Sequence, residues 1–336
     1  MAKVLTESQF QSQIVSKYVD VIGEKLGGKV HSFSDEWFAQ AGNLIKPKAP
    51  IRDATRFTYA GAWYDGWETR RHNEQEADWV IFKFGVSSAN LIGCEVDTTF
   101  FNGNHAPAIS VEAVQIFDDG ELAKLDEKDW EPVIPKTECG PSQKHFFARD
   151  KLTAKNYTHA RLRMYPDGGI ARFRLYGHVV PVTKNTAEVI DFASVKNGGV
   201  AIKVSDQHFG TADNLLLPGR GHDMSDGWET KRSREPGHTD WVVIRLGAPA
   251  QLQKVVIDTA HFRGNFPQKV NVKGAEVKDE NDIDSADWVT IIPDSKTSAD
   301  KEHEFDVKNN DTFSHIKVTI IPDGGVKRIR AFGVKA

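Results

Sequence analysis

The sequence is poor in cysteine and has no long apolar run. Its 336 residues include two cysteines, Cys94 and Cys139, both in the first half of the chain, so a disulfide framework is not expected. No stretch approaches the roughly 18 uninterrupted apolar residues of a membrane-spanning helix. The N-terminal residues are polar where a secretory signal peptide has its apolar core. We therefore expect a cytoplasmic protein without a membrane partner.

The chain also lacks a large excess of charge of either sign. Its 43 lysine and arginine residues nearly balance 47 aspartate and glutamate residues, which gives a formal net charge of -4. The basic residues are scattered, without the dense block that binds phosphate backbones, so we expect no nucleic-acid partner. Phosphate-loop, dinucleotide-binding and serine-hydrolase motifs are absent as well. With 39% hydrophobic residues, the composition is that of a folded protein long enough for two domains.

An internal repeat organises the sequence. The segment 65–71 (DGWETRR) recurs as 226–232 (DGWETKR), and Pro-Asp-Gly-Gly occurs at Pro166 and again at Pro322. A period of about 160 residues indicates a domain duplication, because solenoid units are several times shorter. We expect a first repeat, with its N-terminal extension, over residues 1–180, a linker over 181–189 and a second repeat over 190–336.

Each repeat contains short runs in which apolar and polar residues alternate, such as 79–84 (WVIFKF) and 241–246 (WVVIRL). A period of two predicts strands, whereas helical periodicity is scarce outside the first twenty or so residues. We therefore predict an all-β chain, a tandem duplication of a jelly-roll sandwich. Each Pro-Asp-Gly-Gly segment lies between alternating runs and predicts a hairpin. The predicted core anchors are Trp67, Trp79, Trp228 and Trp241.

Longer motifs resemble a known family. Residues 61–73 (GAWYDGWETRRHN) and 217–230 (LPGRGHDMSDGWET) look like those of allantoicases, especially the fungal members, and so do 101–107 (FNGNHAP) and 261–267 (HFRGNFP). The resemblance covers nearly the whole chain, including its duplication. It implies an amidinohydrolase of purine degradation, acting on linear C–N bonds, that converts allantoate and water into ureidoglycolate and urea. It also implies galactose-binding-like jelly-roll domains and a homo-oligomer.

The implied chemistry sets requirements for a site. Allantoate has a carboxylate on a carbon that bears two ureido groups, so the enzyme must hold an anion, assist a departing nitrogen and direct water to that carbon. Arginine suits the carboxylate, and histidine or a tuned carboxyl group can transfer protons near neutral pH. A divalent metal could polarise the ureido carbonyl or activate the water instead. The histidines form no HExxH motif, and the sequence specifies no cofactor with certainty.

One candidate cluster lies in residues 220–229 of the second repeat. We assign Arg220 to the substrate carboxylate, and His222, with Asp223 or Glu229, to proton transfer. The alternative is a solvated loop whose acidic residues cap turns and neutralise Arg220.

A second candidate cluster follows Asp258. If residues 258–263 form a strand, His261 and Arg263 share one face and can point into one pocket, as a catalytic and a substrate-binding residue. The alternative is a histidine and an arginine on a solvated face. Further substrate-binding candidates are Arg232, Asn265 and His105. The first repeat has Phe100 and Asn102 where the second has His261 and Arg263, so the ionisable groups are not duplicated.

Other charged residues recur in both repeats. Glu68 with Arg71, and Glu229 with Arg232, indicate either a binding motif that is used twice or a buried ion pair that each sandwich needs. Strand alternation places a second set on polar faces, for surface or oligomer contacts: Arg172, Arg174, Arg328 and Arg330.

Two other classes of function compete with an enzyme. A non-catalytic tandem carbohydrate-binding module could use the same fold, but it would most simply keep similar loops in both repeats. A structural interaction module would explain the duplication but does not need the cluster of Arg220, His222 and Asp223. The resemblance and the unequal loops favour the enzyme.

Overall fold

The computed structural model describes residues 2–336, which divide into two compact units between Val179 and Val180. The predicted helical segment near the N-terminus is a short α-helix, α1 (Glu7–Phe10), followed by a π-helical turn, Gln11–Val15. Thr6 begins the helix: its hydroxyl accepts the Gln9 N–H at 3.3 Å, while the Gln9 side chain accepts the Thr6 N–H at 3.0 Å. This reciprocal capping satisfies two backbone donors that a short helix would otherwise leave unpaired.

Strands make up most of both units. Those of the first unit are β1 (Lys3–Val4), β2 (Val19–Asp20), β3 (Lys29–Phe33), β4 (Phe57–Thr58), β5 (Gly61–Ala62), β6 (Trp67–Glu68), β7 (Asp78–Lys83), β8 (Ala89–Asp97), β9 (Ala108–Val114), β10 (Glu131–Glu138), β11 (Lys144–Ala148), β12 (His159–Tyr165), β13 (Gly169–Ile170) and β14 (Arg172–Val179). Those of the second unit are β15 (Ile190–Asp191), β16 (Val200–Val204), β17 (Trp228–Glu229), β18 (Asp240–Asp258), β19 (Lys269–Ala275), β20 (Val289–Lys296), β21 (Glu302–Asp306), β22 (Thr312–Ile321), β23 (Gly325–Val326) and β24 (Arg328–Lys335).

Short 3₁₀ turns connect these strands. They are Glu24–Leu26, Ala41–Ile45, Asp119–Lys124, Glu127–Asp129, Val195–Asn197, Ala212–Leu216, Met224–Asp226 and Glu280–Ser285. Within residues 2–336, no helix combines the length and apolar character needed to cross a membrane.

The first unit is a sandwich of two antiparallel sheets, with strand orders β1-β11-β8-β14-β2 and β10-β9-β12-β7-β3. The second unit repeats this pairing, but its strand β18 is continuous. The first part of β18 pairs with β16 and β22, as β7 pairs with β3 and β12. Its second part pairs with β21 and β24, as β8 pairs with β11 and β14. The predicted tandem jelly-roll sandwich is therefore confirmed.

Alternation along the strands fills the space between the sheets. Trp67 and Trp228 are both 0% exposed in the two equivalent cores, as predicted. Trp79 and Trp241 are only partly buried, so the prediction that they anchor the cores is wrong. They lie on the opposite strand face from Val80 and Val242, which point into the cores. Cys94 and Cys139 are buried free thiols.

The Pro-Asp-Gly-Gly segments do not form the predicted hairpins. Strand β12 pairs with β7 and β9, whereas β14 pairs with β8 in the other sheet. In the second unit, β22 and β24 likewise pair with different parts of β18 rather than with each other. The segment thus connects the two sheets, and its local turn chemistry does not reveal which sheet each flanking strand joins.

Candidate active site

The turn after β18 positions the second predicted cluster. Strand β18 ends at Asp258, and the Phe262 N–H donates to the Thr259 carbonyl at 3.0 Å. His261 adopts a left-handed conformation with φ of 69°, which reverses the chain direction. The predicted strand over residues 258–263 is therefore wrong. His261 and Arg263 are presented by a turn whose Phe262 is 0% exposed, rather than by one face of a sheet.

Arg220 and Asp258 form a two-point ion pair. The Arg220 Nε donates to Asp258 Oδ2 at 2.8 Å, and Nη2 donates to Oδ1 at 2.9 Å. The Asp258 side chain is 2% exposed and that of Arg220 is 51% exposed. The hydrogen bonds to Asp258 raise the pKa of the Arg220 guanidinium, which stays charged. The buried carboxylate thus fixes the orientation of an accessible cation.

A small cavity of about 170 Å³ adjoins this pair. Its lining combines three arginines with two carboxylates: Gly219, Arg220, Val256, Asp258, Glu302, Arg328 and Arg330. Arg328 Nε and Arg330 Nη2 both donate to the Gly219 carbonyl, at 3.1 Å and 3.0 Å. Burial lowers the pKa of both guanidinium groups. These two arginines therefore hold the loop that carries Arg220.

The prediction that the four recurring strand arginines lie at the surface needs correction. Arg172 is 3% exposed and Arg328 is 2% exposed. The polar face of each strand is covered by the preceding loop, whose carbonyl groups accept the guanidinium hydrogens. Arg172 Nε donates to the Lys48 carbonyl at 2.8 Å, in the same way that Arg328 donates to Gly219.

Asp300 connects the two predicted clusters of the second repeat. Its Oδ1 accepts the His261 N–H at 2.8 Å, and its Oδ2 lies 3.5 Å from Arg263 Nε. The hydrogen bond from His261 lowers the pKa of Asp300, and the charges of Arg263, His261 and Arg220 lower it further. Asp300 therefore contacts His261 and Arg263 directly, while Arg220, from a separate segment of the chain, acts on it only through its charge.

Asp223 lies near the same histidine. Its Oδ1 accepts both the N–H and the hydroxyl of Ser225, at 2.8 Å and 2.6 Å. These hydrogen bonds lower the pKa of Asp223, with further lowering by the charges of Lys327 and His261. His222 is exposed in the same loop, and its ring makes no hydrogen bond within residues 2–336. His261 thus lies within electrostatic reach of both Asp223 and Asp300, and Arg220 within reach of Asp300.

Glu229, Asn265 and Arg232 form a neighbouring group. Asn265 Nδ2 donates to Glu229 Oε1, and Arg232 Nη2 lies 3.4 Å from the Gly264 carbonyl. The first repeat has the same amide–carboxylate bond, from Asn104 to Glu68 at 2.8 Å.

The ion pair, one of the two alternatives for the recurring Glu and Arg residues, is present in the first repeat, where Arg71 contacts Glu68 at 3.3 Å and Asp167 at 3.2 Å. Among the described residues of the second repeat, Arg232 makes no ion pair. The bond shared by both repeats indicates that the asparagine and glutamate hold the adjacent turn.

His105 belongs to the first unit. Its Nδ1 lies 2.7 Å from the Asn102 carbonyl, and its side chain helps to line a cavity of about 640 Å³. That cavity has a mixed charged and apolar lining: Glu76, His105, Pro107, Ala108, Lys136, Thr137, Glu138, Cys139, Tyr165 and Pro166. His105 is therefore part of a cavity of the first unit.

Three contributors to the site were missed by the sequence reasoning, namely Asp300, Glu302 and Lys327. Asp300 and Glu302 reach the site because β21 pairs with β18, with Glu302 opposite Asp258. That pairing has no local sequence signal. Lys327 could have been noticed, since it follows Pro-Asp-Gly-Gly-Val where the first repeat has Ala171. Within residues 2–336, no group of three His, Cys, Asp or Glu side chains is arranged to hold a metal ion.

Comparison with known proteins gives a consistent result. The family profile of the allantoicase repeat matches residues 19–180 and 190–336. The chain is 60% identical to the allantoicase of Saccharomyces cerevisiae, with 97% of each chain covered. It is 54% identical to that of Neurospora crassa, with 96% of this chain and 92% of the relative covered. The crystal structure of the Saccharomyces cerevisiae allantoicase superimposes with a TM-score of 0.78 at 56% identity, covering 99% of this chain and 100% of that chain.

Proposed function

The chain belongs to the allantoicase family and is a hydrolase of allantoin degradation, and we propose that it releases urea from allantoate at the surface formed by Arg220, Asp223 and His261. One observation carries this assignment. Arg220 is held at two points by the buried Asp258, yet half of its side chain is exposed, so it presents its remaining N–H groups in a fixed direction. A fixed guanidinium is suited to bind a substrate carboxylate.

The first repeat lacks this arrangement. Lys48 and Gly219 occupy equivalent positions, because their carbonyl groups accept the equivalent arginines, so Ala49 stands where the second repeat has Arg220. The residues beside this cavity differ as well. The first repeat has Lys144 at the position of Glu302 and Glu95 at the position of Val256, and Lys144 pairs with Glu95 at 3.1 Å. Because the two repeats differ at these positions, we place the active site in the second repeat only.

Proton transfer is assigned to the groups beside Arg220. Hydrolysis breaks the bond from the substrate carbon to one ureido nitrogen, forms a bond from that carbon to the water oxygen and moves a proton to the departing nitrogen. We assign this proton to the His261 imidazole and removal of the water proton to Asp223, with His222 as a second proton carrier in the same loop. Arg263, which is 80% exposed, is assigned to the ureido oxygen.

The neighbouring group has a supporting part in this proposal. Asn265 and Glu229 hold the turn that presents His261, as Asn104 and Glu68 hold the equivalent turn in the first repeat. The exposed Arg232 can extend the binding surface of the second repeat towards a second ureido group.

We also propose that the protein acts as a homo-oligomer in the cytoplasm. Large apolar side chains at the surface of the first unit support assembly, since Tyr59 is 85% exposed and Phe57 is 70% exposed. Light scattering of the purified protein would measure the oligomer, and a monomeric mass at micromolar concentration would contradict it.

Urea release from allantoate by the purified protein tests the assignment. We expect Arg220→Met to raise KM by roughly 10- to 100-fold, through loss of a charged hydrogen-bonding partner. His261→Ala should lower kcat by about 100-fold or more, which is typical for loss of a proton-transfer group. Arg234→Met and His208→Ala, on exposed residues of the same repeat, should keep wild-type kinetics.

Each other outcome has a distinct meaning. If His105→Ala abolishes activity while His261→Ala keeps it, the reaction belongs to the first-unit cavity. Activity that is lost to a chelator and restored by a divalent cation would add a metal to the mechanism. If folded wild-type protein releases no urea even with added divalent cations, the carbohydrate-binding alternative gains support.

A further inference from the structure

Lys327 is a fully buried lysine in the second unit, with 0% exposure. Its first-repeat equivalent is Ala171, since the two backbone N–H groups donate to the equivalent carbonyls of Asp258 and Asp97, each at 2.7 Å. Burying an ammonium group costs several kcal/mol unless charged and polar partners compensate. The second repeat therefore has a residue whose burial is unfavourable, at a position where the first repeat folds with alanine.

The partners of Lys327 belong to the loop that carries the site. Its Nζ contacts the Asp226 carboxylate and the Asp223 carbonyl. Arg328 Nη2 also donates to Asp226, at 2.7 Å. In the first repeat, the equivalent Asp65 receives a single cation, Arg172, at 2.7 Å. Lys327 thus adds a second contact with Asp226 and a separate bond to the backbone beside Asp223.

The loop packs closely on this lysine. Gly221 has φ of 69°, and a Cβ added there would lie 2.4 Å from an Asp226 oxygen and 2.6 Å from the Lys327 Cε. Residues 222–225 above it are exposed, so they have few contacts of their own with the core. The contacts from Lys327 below are therefore a main constraint on the loop between Arg220 and Asp226.

We propose that Lys327 is a positioning residue for urea release, which fixes residues 219–226 so that Arg220, His222 and Asp223 face the substrate. This inference rests on the proposed second-repeat site. Lys327 itself is too buried to touch a substrate. Its ammonium group and Arg328 share one carboxylate, which leaves a positive charge under the loop and favours an anionic substrate.

The charge of this group is sensitive to alkaline pH. Burial lowers the pKa of Lys327 to about 8, the Arg328 charge lowers it further and the Asp223 charge raises it. The charged groups that face it are Asp223 and Asp226 from the loop and Arg328, the next residue in the chain. Loss of the proton above pH 8 weakens the contacts with Asp226 and the Asp223 carbonyl, so activity should fall there.

The test compares Lys327→Met, Lys327→Arg and a core control, Phe313→Leu, by urea release and by hydrogen–deuterium exchange of residues 219–226. Lys327→Met should raise KM for allantoate at least tenfold and speed exchange in these residues. Phe313→Leu should lower the melting temperature without either change. Lys327→Arg keeps a charge at high pH, so it should recover part of the activity and lose the decline above pH 8.

Several outcomes would overturn the inference. Unchanged exchange in residues 219–226 of Lys327→Met would show that the lysine does not hold the loop, whether or not the wild type releases urea. If Lys327→Met does not fold, the arginine variant decides, because an alkaline decline identical to that of the wild type excludes the role. A wild type without urea release, but with faster loop exchange in Lys327→Met, would reject the proposed function and leave only the conclusion that Lys327 holds residues 219–226.

Discussion

The carboxylate of Asp258, whose side chain is 2% exposed, holds the guanidinium of the exposed Arg220 at 2.8 Å and 2.9 Å. It also accepts the Ala260 N–H at 2.9 Å, at the start of the turn that presents His261. One buried side chain therefore sets the direction of the proposed anion-binding group and anchors the neighbouring turn. The equivalent Asp97 accepts the Thr99 N–H at 2.8 Å, but within residues 2–336 it makes no ion pair.

Replacing Asp258 separates its role in orienting Arg220 from its role in anchoring the turn at Ala260. Asp258→Asn can keep the hydrogen bond to Ala260 but loses the charge that orients Arg220, so KM for allantoate should rise roughly tenfold. Asp97→Asn, at the same position of the first repeat, should leave KM unchanged. Steady-state kinetics of both variants measure the difference. Equal effects on KM would show that the ion pair does not serve substrate binding.

The bond between Asn104 and Glu68 should stabilise the first unit. Glu68 is 7% exposed, and burial raises its pKa even though Asn104 and Arg71 favour the charged form. Asn104→Ala removes the 2.8 Å hydrogen bond and should lower the free energy of unfolding by about 1–3 kcal/mol. Asn265→Ala should cost less, because Glu229 is more exposed than Glu68. Urea denaturation measures the stability of both variants. A larger loss for Asn265→Ala than for Asn104→Ala would show that burial of the glutamate does not set the cost.

Stability should fall in mild acid because of His159. Burial lowers its pKa to about 4, despite the opposing charge of Asp119, whereas a histidine in the unfolded chain has a pKa of about 6.5. The unfolded chain therefore gains a proton first as the pH falls, and the stability due to neutral His159 is lost between about pH 6.5 and 4. The loss is at most about 3 kcal/mol at 1.36 kcal/mol per pKa unit.

His159→Gln should flatten this part of the stability profile, measured by urea denaturation from pH 7 to pH 4. His315 provides a comparison in the second unit, because burial lowers its pKa too and it lies 3.7 Å from Glu280, as His159 lies 3.4 Å from Asp119. An acid profile that is the same in wild type and His159→Gln would show that other groups cause the loss.

Much of the fold could be predicted from the sequence because the repeats and strand alternation are local patterns. Trp67 and Trp228 lie in the cores as the recurring Asp-Gly-Trp-Glu-Thr segment predicts. Pairing between distant segments accounts for the errors. Residues 258–263 alternate like a strand, yet the chain turns at Thr259, and Arg328 lies on a polar strand face that a preceding loop covers.

In the candidate site, too, the sequence predicts groups of adjacent residues but not the contacts between distant segments. Arg220, His222 and Asp223 were grouped because they are adjacent in sequence, and His261 with Arg263 for the same reason. Asp300 contacts the second group and lies close enough to Arg220 for that charge to act on it, and its position depends on the pairing of β21 with β18 and on its own left-handed φ of 51°. Neither is visible from composition or spacing, so the sequence does not predict that the two clusters lie within electrostatic reach of each other.

Gly325 and Phe262 provide a test of how the core supports the site. A Cβ added at Gly325 would lie 2.0 Å from a ring carbon of Phe262, the buried residue of the turn between His261 and Arg263. Gly325 itself is held by the pairing of β23 with β17, so the ring must move. Gly325→Ala should therefore lower the free energy of unfolding by about 1–3 kcal/mol and displace His261.

The matched variants separate stability from function. Gly169→Ala creates the same clash in the first unit, 2.2 Å from Phe101, and should destabilise the protein while kcat stays at the wild-type value. Gly264→Ala lies in the turn itself but has no atom within 4 Å of the added Cβ, so its stability should match the wild type. The free energy of unfolding and kcat for urea release, measured for the three variants, test this expectation. If Gly325→Ala and Gly169→Ala lower kcat equally, the turn around His261 has no special link to catalysis, and the site must be sought elsewhere.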